Sequence, residues 1–556
     1  MTPRRLDVTP TPPVILKVAV FRRTLPLLLA LFSSCAPMHA PAAPSATLPP
    51  EFGPLFADAA GPNKPASASS APAPDTDAQC NPKANPANRS MWQLPIDVRF
   101  TNNGIEPEEV GDAVSLYHPY NTQFAWQAFI ALNWPAGSDG QPDPARAIGG
   151  DGGDRPTFWE SWINAEDVFR KNGAKPLPWG SQSPIPTTCA NVPKKTADLV
   201  FEQDDESQTS HDSANGHEEK KLEENRAPPV VDQNGRWVRY EIYLNRSDYQ
   251  YIVDNQLYSV EGQKKFKASG KPLLFPTGSI ELKIAWKELG DGDDPKKFHV
   301  REGVFVNADG SCSIAKVGMV ALHIKYKTPR SPNHFWATFE HNANLCQTNP
   351  FTGAVSSGSF CNKCCLPNPP ANCPLPEGGC KPFDLPPKLT AEPPEKPAEP
   401  SHVPPSELSR VTPIPVSIGQ LNSLMQDLLG EMGSHEGSGQ VPQSVWTNYE
   451  LINAQWLMPF MPNVATSWYR GASAMTTTNK VPQYFPRIPG EAWCNQNAPQ
   501  CDKGRDCPML VQPPIVANTI IEPYNQASSS CLGCHQAAKT RAKQDADFSF
   551  VLDRAR

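Results

Sequence analysis

Alternating apolar and polar positions in the middle of the chain predict β-strands. In residues 279–286 every second side chain is apolar, at Ile280, Leu282, Ile284 and Trp286. The same period returns in 317–326, and 335–341 follow after a proline-containing turn at 327–333. A period of two places the apolar side chains on one face of a strand. These segments therefore predict three neighbouring strands of an antiparallel, β-rich body.

The intervening positions of the first two strands are polar. Glu281 and Lys283 lie between the apolar residues of the first strand, and His323 and Lys325 between those of the second. An antiparallel sheet with one face in water has this pattern, which is the commoner explanation. Three adjacent strands with a polar side would also line a pocket, and the pattern alone leaves both alternatives open.

Apolar residues at helical spacing predict peripheral helices. Residues 123–134 are largely apolar and aromatic; Asn121-Thr122 can cap the start of this helix, and Pro135 ends it. A second helix has one apolar face, formed by Leu421, Leu424, Met425, Leu428 and Met432. Another packed segment follows at 446–456. We therefore expect an α+β, β-rich fold, with an antiparallel sheet body and helices at its periphery.

The chain begins with a pattern typical of a secretory signal peptide, which we place at residues 1–40. Two arginines precede a short apolar run at 25–32, and small residues follow. The stretch that ends at Cys35 resembles a lipoprotein box, in which this cysteine would be acylated; the alternative is simple cleavage after Ala40. Both alternatives predict export to the periplasm or cell surface, and lipidation would make the protein an outer-membrane lipoprotein.

Composition divides the rest of the chain. Of 556 residues, 64 are proline, and many of these lie in two segments that are poor in large apolar groups. We expect a Pro/Ala/Ser-rich tether at 41–90, a β-rich body at 91–356 with a charged insertion at 193–228, a Cys/Pro-rich disulfide loop at 357–415, and a helical part at 416–556.

The motif that carries chemistry is Cys531-x-x-Cys534-His535. On one helical turn the two cysteines face the same way and can reach both vinyl groups of one porphyrin, while the histidine points at the iron; this is the c-type haem attachment signature. A thioredoxin-like redox pair and a zinc site completed by Cys501 and Cys507 are weaker alternatives. The motif predicts one covalently attached haem c, with His535 as the proximal iron ligand, on a short C-terminal helical segment.

The remaining cysteines indicate disulfides. The chain has 15 cysteines, and setting aside the haem motif and Cys35 leaves an even number, which allows complete pairing. The spacing Cys361-x-x-Cys364-Cys365 would also suit zinc. In an exported chain with prolines between the cysteines we expect disulfides instead.

The sixth iron ligand has to come from the body, because residues 536–556 contain neither Met nor His. His341 is a candidate axial ligand, and Glu340 or His341 a candidate distal acid–base group. The alternative is that both end a strand at the surface. Met458 is a further candidate ligand, since a thioether suits an electron-transfer haem, although methionines more often fill gaps in a core.

At this point the sequence resembles a family of exported bacterial monohaem proteins named "cytochrome c family protein". The resemblance spans roughly 92–350 and 440–556 and implies a covalent haem but no established substrate. It is carried by Phe124 to Phe129, Ala131 to Pro135, Trp336 to His341, Asn518-Thr519, Glu522-Pro523-Tyr524, Ser529 to His535 and Asp547 to Phe550. The motif followed by Asp-Phe-x-Phe is also similar to the β-sheet monohaem cytochromes of hydroxylamine oxidation, which implies an open distal face.

These features lead to three functional hypotheses. The first is electron transfer with an extracytoplasmic redox partner protein. The second is a haem enzyme, an oxidoreductase of peroxidase-like type, with an open distal site for a small-molecule substrate. The third is a haem-based sensor or binding module. A net charge of −7 argues against nucleic acid as a partner, and membrane attachment is expected only through an N-terminal lipid.

Overall fold

A computed structural model describes part of the chain. The described residues are 91–96, 113–148, 156–170, 173–187, 189, 192, 199–201, 230–306, 311–328, 331–348, 352–366, 368–375, 405–433, 444–459, 509–513, 515–523, 526 and 529–556. The predicted signal peptide and tether lie outside these residues, as does most of the predicted charged insertion.

Helices and strands alternate irregularly along the chain. The helices are α1 Ala113–Leu132, α2 Ala165–Val168, α3 Arg246–Asp254, α4 Val260–Ala268, α5 Val416–Gly433 and α6 Cys531–His535. The strands are β1 Ile163–Asn164, β2 Leu199–Phe201, β3 Arg239–Leu244, β4 Ile280–Glu288, β5 Val300–Val306, β6 Cys312–Thr328, β7 Ser331–His341, β8 Gln347–Thr348, β9 Val355–Ser356, β10 Tyr449–Pro459 and β11 Met509–Gln512. This arrangement confirms the α+β, β-rich fold.

Within the described residues one large sheet forms the body. Its main path runs β1-β3-β4-β6-β7-β10-β11, and β5 pairs with β6 beside this path. Neighbouring strands are antiparallel, except that β2 pairs with β5 in parallel. The β4, β6 and β7 strands confirm the three predicted from alternation. Strand β6 begins earlier than predicted, at Cys312, because its first residues pair with β5, and β6 and β7 include most residues of the predicted turn at 327–333.

The sheet has two buried faces, which we name by what covers them. On the helix face, Phe335 and Phe339 of β7 pack against Phe124 and Phe129 of α1, with ring centroids 4.8 and 4.2 Å apart. Helix α5 packs beside α1. The indole nitrogen of Trp126 on α1 donates to Asn422 Oδ1 on α5 at 3.0 Å. These apolar contacts form much of the core.

The opposite face is covered by the C-terminal segment, and we call it the motif face. In cross-strand register it carries Glu281 and Lys283 of β4, His323 and Lys325 of β6, Trp336, Thr338 and Glu340 of β7, and Asn453 and Gln455 of β10. The C-terminal residues Phe550, Val551 and Leu552 are buried against Ile242 and Leu244 of β3. The polar side of the sheet is therefore covered, and the solvated-face alternative does not hold.

Three predicted boundaries differ from the structure. Helix α1 begins at Ala113, so Asn121 and Thr122 lie inside it and do not cap it. Leu199–Phe201 lies within the predicted insertion but forms strand β2, since these three apolar residues can join β5. The part at 416–556, predicted to be helical, contributes β10 and β11 to the sheet.

Disulfides cross-link the body, as predicted. Cys189 pairs with Cys312, Cys346 with Cys361 and Cys364 with Cys373. Cys365 is disulfide-bonded as well. These bonds exclude Cys361, Cys364 and Cys365 as zinc ligands, because a disulfide sulfur is no longer a thiolate.

Candidate haem-attachment site

The motif forms its own short helix, α6, and two side chains hold its first turn. Ser530 caps the helix by accepting a hydrogen bond from the Gly533 amide at 3.1 Å. Gln455 of β10 accepts another from the Leu532 amide at 2.8 Å and donates to the carbonyl oxygen of Pro513 at 2.8 Å. Leu532 is fully buried. The sheet therefore fixes the helix at its amino end.

The two motif cysteines are present as thiols. The other cysteines among the described residues are all disulfide-bonded. Burial raises the pKa of the Cys531 thiol well above its ordinary value, and the nearby Glu522 carboxylate adds to this effect. Two cysteines outside any disulfide are what thioether formation to a haem requires.

A hydrogen bond of His535 shows which of its two ring nitrogens carries the proton. Its Nδ1 donates to the carbonyl oxygen of Phe548 at 2.9 Å. Donation from Nδ1 leaves the lone pair of the neutral ring on Nε2, the arrangement of a metal-ligating histidine. Burial lowers the pKa of His535 to about 4. The imidazole is therefore neutral at physiological pH, as a ligand must be.

Aromatic rings fix the plane of the His535 imidazole. The Trp336 ring of β7 lies 4.3 Å from it, centroid to centroid, and the Phe550 ring lies 5.0 Å away in an edge contact. Trp336 comes from the motif face and packs on the imidazole at an interplanar angle of 51°, and Phe550 comes from the C-terminal segment itself. Sequence elements about two hundred residues apart thus hold one ring.

A buried ion pair holds the backbone next to the Phe548 carbonyl oxygen, which accepts the hydrogen bond of His535. Asp547 Oδ2 accepts from Lys327 Nζ at 3.0 Å and from the Phe275 amide at 2.8 Å. Asp547 and Phe548 both have positive φ, 46° and 63°. Such backbone angles are unfavourable for non-glycine residues and persist where surroundings impose them. Here the ion pair of Asp547 with Lys327 holds the backbone in this conformation.

Charged residues of the motif face lie under the site. Lys325 Nζ is 3.1 Å from Glu281 Oε2, which also accepts from Ser549 Oγ at 2.7 Å. Burial alone would raise the pKa of Glu281, but Lys325 and Ser549 together hold it below its ordinary value. The carboxylate therefore stays ionised, and it lies under the site paired with Lys325 and hydrogen-bonded to Ser549.

His341 lies away from this site. It is on the helix face, opposite Trp336, because the two residues are separated by an odd number of positions along β7. Its Nε2 donates to the carbonyl oxygen of Lys297 at 2.9 Å, and its Nδ1 accepts from the Ala343 amide at 3.1 Å. Its ring stacks on Phe298 at 4.0 Å. With both nitrogens engaged on the wrong face, His341 has no place in the candidate site as ligand or acid–base group.

Glu340 is on the motif face but is committed to structural contacts. Its oxygens accept from the Thr519 amide and hydroxyl, both at 2.6 Å, and from Arg410 Nη2 at 2.9 Å. It is completely buried and lies four residues along β7 from Trp336, about 13 Å at the rise of a strand. The structure does not bring this carboxylate to His535 for a distal role.

The other predicted residues lie outside what the structure describes. Met458 is in strand β10, but its side chain lies beyond the described residues, as do Cys501 and Cys507. Among the described residues, no group of three or more His, Cys, Asp or Glu side chains could hold a bare metal ion.

Sequence reasoning missed three contributors: Gln455, which holds α6, Phe548, whose backbone orients His535, and the pair His323–Glu522. The Nε2 of His323 lies 3.4 Å from Glu522 Oε2 beside the motif. The alternation in β6 placed His323 on the polar face and was the available signal. Backbone contacts such as that of Phe548 leave no signal in side-chain identity.

Comparison with protein-family models, with curated proteins and with solved structures finds no match to this chain.

Proposed function

We propose that this chain is an extracytoplasmic monohaem c-type cytochrome that transfers electrons to or from a redox partner protein. The observation that carries the proposal is the state of the motif: two thiols and a neutral histidine, whose Nδ1 is anchored to Phe548, on one helical turn. Cys531 and Cys534 would hold the haem, and His535 would be its proximal ligand.

When bound, haem supplies a one-electron centre. Each thiol adds its sulfur to one carbon of a vinyl group and its hydrogen to the other, so attachment needs no outside oxidant. The protein's own part is to hold the imidazole at a fixed angle through Trp336, Phe550 and Phe548. A rigid ligand keeps reorganisation small, which favours electron transfer over chemistry at the iron.

Exposure at the motif supports exchange with another protein. Cys531, Cys534 and His535 are half-buried, while the sheet residues beneath them, such as Trp336 and Gln455, are buried. A group attached there has its attachment edge near the surface, within reach of a docked partner. An enzyme of the peroxidase type would instead need a distal acid–base group, and neither Glu340 nor His341 occupies such a position.

The expected compartment rests on the disulfides and the amino-terminal pattern. Disulfides persist outside the cytoplasm, where haem c is also attached. No helix among the described residues has the length and apolarity needed to cross a bilayer. We propose export through the signal at 1–40, with lipidation at Cys35 as the alternative to cleavage after Ala40.

Spectroscopy of the purified holoprotein tests the function. We expect a low-spin haem that is reduced and reoxidised reversibly, with a spectrum unchanged by carbon monoxide or cyanide. A high-spin haem that binds these ligands would contradict the electron carrier and favour the enzyme or sensor. The His535→Ala variant is the internal test, because it should lose the low-spin spectrum.

A further inference from the structure

His323 is a half-buried histidine on the motif face, and its Nε2 is shielded from solvent without making a hydrogen bond. The nitrogen lies 3.4 Å from Glu522 Oε2, an ion-pair separation, and the side chain is 14 % exposed. Glu522 is itself fixed, since its Oε2 accepts from the Asn518 amide at 2.9 Å. Buried polar nitrogens are nearly always hydrogen-bonded, so an unbonded one calls for a partner that is absent from the protein chain.

Strand register places His323 next to the motif. His323 pairs with Thr338, one step along the motif face from the pair Lys325 and Trp336. Trp336 is the residue on which the His535 ring packs. On the neighbouring strand His323 pairs with Lys283.

The two cysteines lie near the same group of residues. Glu522 lies close enough to Cys531 to contribute to its raised pKa, and Cys534 and Glu522 both lie close enough to Lys283 to affect the pKa of its ammonium group. A porphyrin tied to both cysteines would therefore border the His323–Glu522 pair.

The orientation of His535 indicates which side its ligating nitrogen faces. Its Nδ1 points to the carbonyl oxygen of Phe548, and the ring of Phe548 lies 6.1 Å from that of His334. His334 is on the far side of Trp336 from His323 along the strands. The opposite nitrogen, Nε2, therefore points away from the Phe548 carbonyl oxygen, and the histidine at the other end of this face, beyond Trp336 from His334, is His323.

We propose that His323 supplies the second axial nitrogen ligand to the haem iron, opposite His535. This inference rests on the proposed function, because it needs a haem at Cys531 and Cys534. The competing buried histidine is His334, whose Nδ1 also makes no hydrogen bond. It lies on the Phe548 side of His535, the side from which the lone pair points away, and so it is not the ligand.

Three variants of the exported, haem-loaded protein test the assignment by optical and electron paramagnetic resonance spectra. His323→Ala should convert the low-spin haem to a high-spin or weakly ligated form, and its affinity for added imidazole should exceed that of the wild type at least ~tenfold. His323→Met should stay low-spin, with a higher reduction potential, because a thioether raises it. The matched control is His334→Asn, which tolerates the positive φ of that position and should keep the wild-type spectrum.

The outcomes distinguish a failure of the ligand assignment from a failure of the proposed function. A His323→Ala haem with the wild-type spectrum, or a His334→Asn haem that alone turns high-spin, would overturn the ligand assignment while leaving the cytochrome intact. Wild-type protein without covalent haem would overturn the proposed function itself, and the ligand with it. Should His323→Ala fail to fold, an unchanged potential in the His323→Met holoprotein would still contradict the assignment.

Discussion

The Nδ1 of His535 donates a hydrogen bond to the carbonyl oxygen of Phe548, thirteen residues further along the chain, at 2.9 Å. This contact closes the C-terminal segment into a loop that both presents the motif and orients its histidine. Trp336 packs on the ring from below. The geometry of His535, the proposed proximal ligand, is thus built by the last residues of the chain together with one strand.

Removing Asp547 should weaken this loop. Asp547→Ala takes a carboxylate away from the buried Lys327 ammonium and from the Phe275 amide. We expect a loss of about 3 kcal/mol in the free energy of unfolding, as for other buried ion pairs that lose one partner. Denaturant unfolding measures it. Asp545→Ala is the matched control: its ion pair with Lys539 is exposed, so its loss should stay below about 1 kcal/mol.

Gln455 should matter for haem loading. Gln455→Leu keeps the volume but removes the acceptor of the Leu532 amide and the donor to Pro513. An unsatisfied buried amide costs about 1–3 kcal/mol, so the motif helix should fray and the yield of covalent haem per protein should fall. Gln426→Leu removes a similar bond, to the carbonyl oxygen of Tyr449, far from the motif. An equal fall in haem yield in both variants would show that Gln455 has no specific role in haem loading.

Glu340 should act on stability alone. Glu340→Gln removes the negative charge that Arg410 and Thr519 surround, and we expect a loss of at least about 2 kcal/mol in the free energy of unfolding. The haem spectrum and its response to added ligands should not change, because this side chain is remote from His535. A change in ligand binding with unchanged stability would restore the distal role. Glu261→Gln, at an exposed ion pair, serves as the neutral control.

His341 should make stability depend on pH. Burial lowers its pKa from 6.5 to about 4 in the folded protein. His341 in the unfolded chain therefore binds a proton as the pH falls below 6.5, whereas in the folded protein it binds this proton only near pH 4. The contribution of the neutral imidazole is complete above pH 6.5 and is lost as the pH falls toward 4, by about 3 kcal/mol.

The measurement is the difference in unfolding free energy between wild type and His341→Gln across that pH range. This difference should shrink by about 3 kcal/mol between pH 6.5 and pH 4. A constant difference would show that the folded protein does not keep His341 neutral.

Alternation predicted β4, β6 and β7 because these strands each have one largely apolar face, against α1 or its neighbours. Strand β10 was not recognised, and its bulge explains why. The register with β7 shifts between Leu451 and Asn453, so Ile452 interrupts the period of two. Local sequence pattern fails where a bulge moves the alternation from one face to the other.

The polar face shows a second limit. Glu281, Lys283, His323 and Lys325 alternate in the same way whether water or protein covers them. The deciding element is the C-terminal segment, about two hundred residues or more away along the chain, which brings Ser549 to Glu281 and Glu522 to His323. The motif itself could be found from sequence, because its chemistry lies within five residues; the residues around it could not, because they meet only in the fold.

The central claim is tested most directly by the mass of the peptide that contains Cys531 and Cys534, isolated from protein exported by a host that attaches haem c. The account predicts that this peptide carries one haem through two thioether bonds, and that the Cys531→Ser/Cys534→Ser variant carries none. A wild-type peptide with two unmodified thiols, or with a disulfide between them, would contradict it.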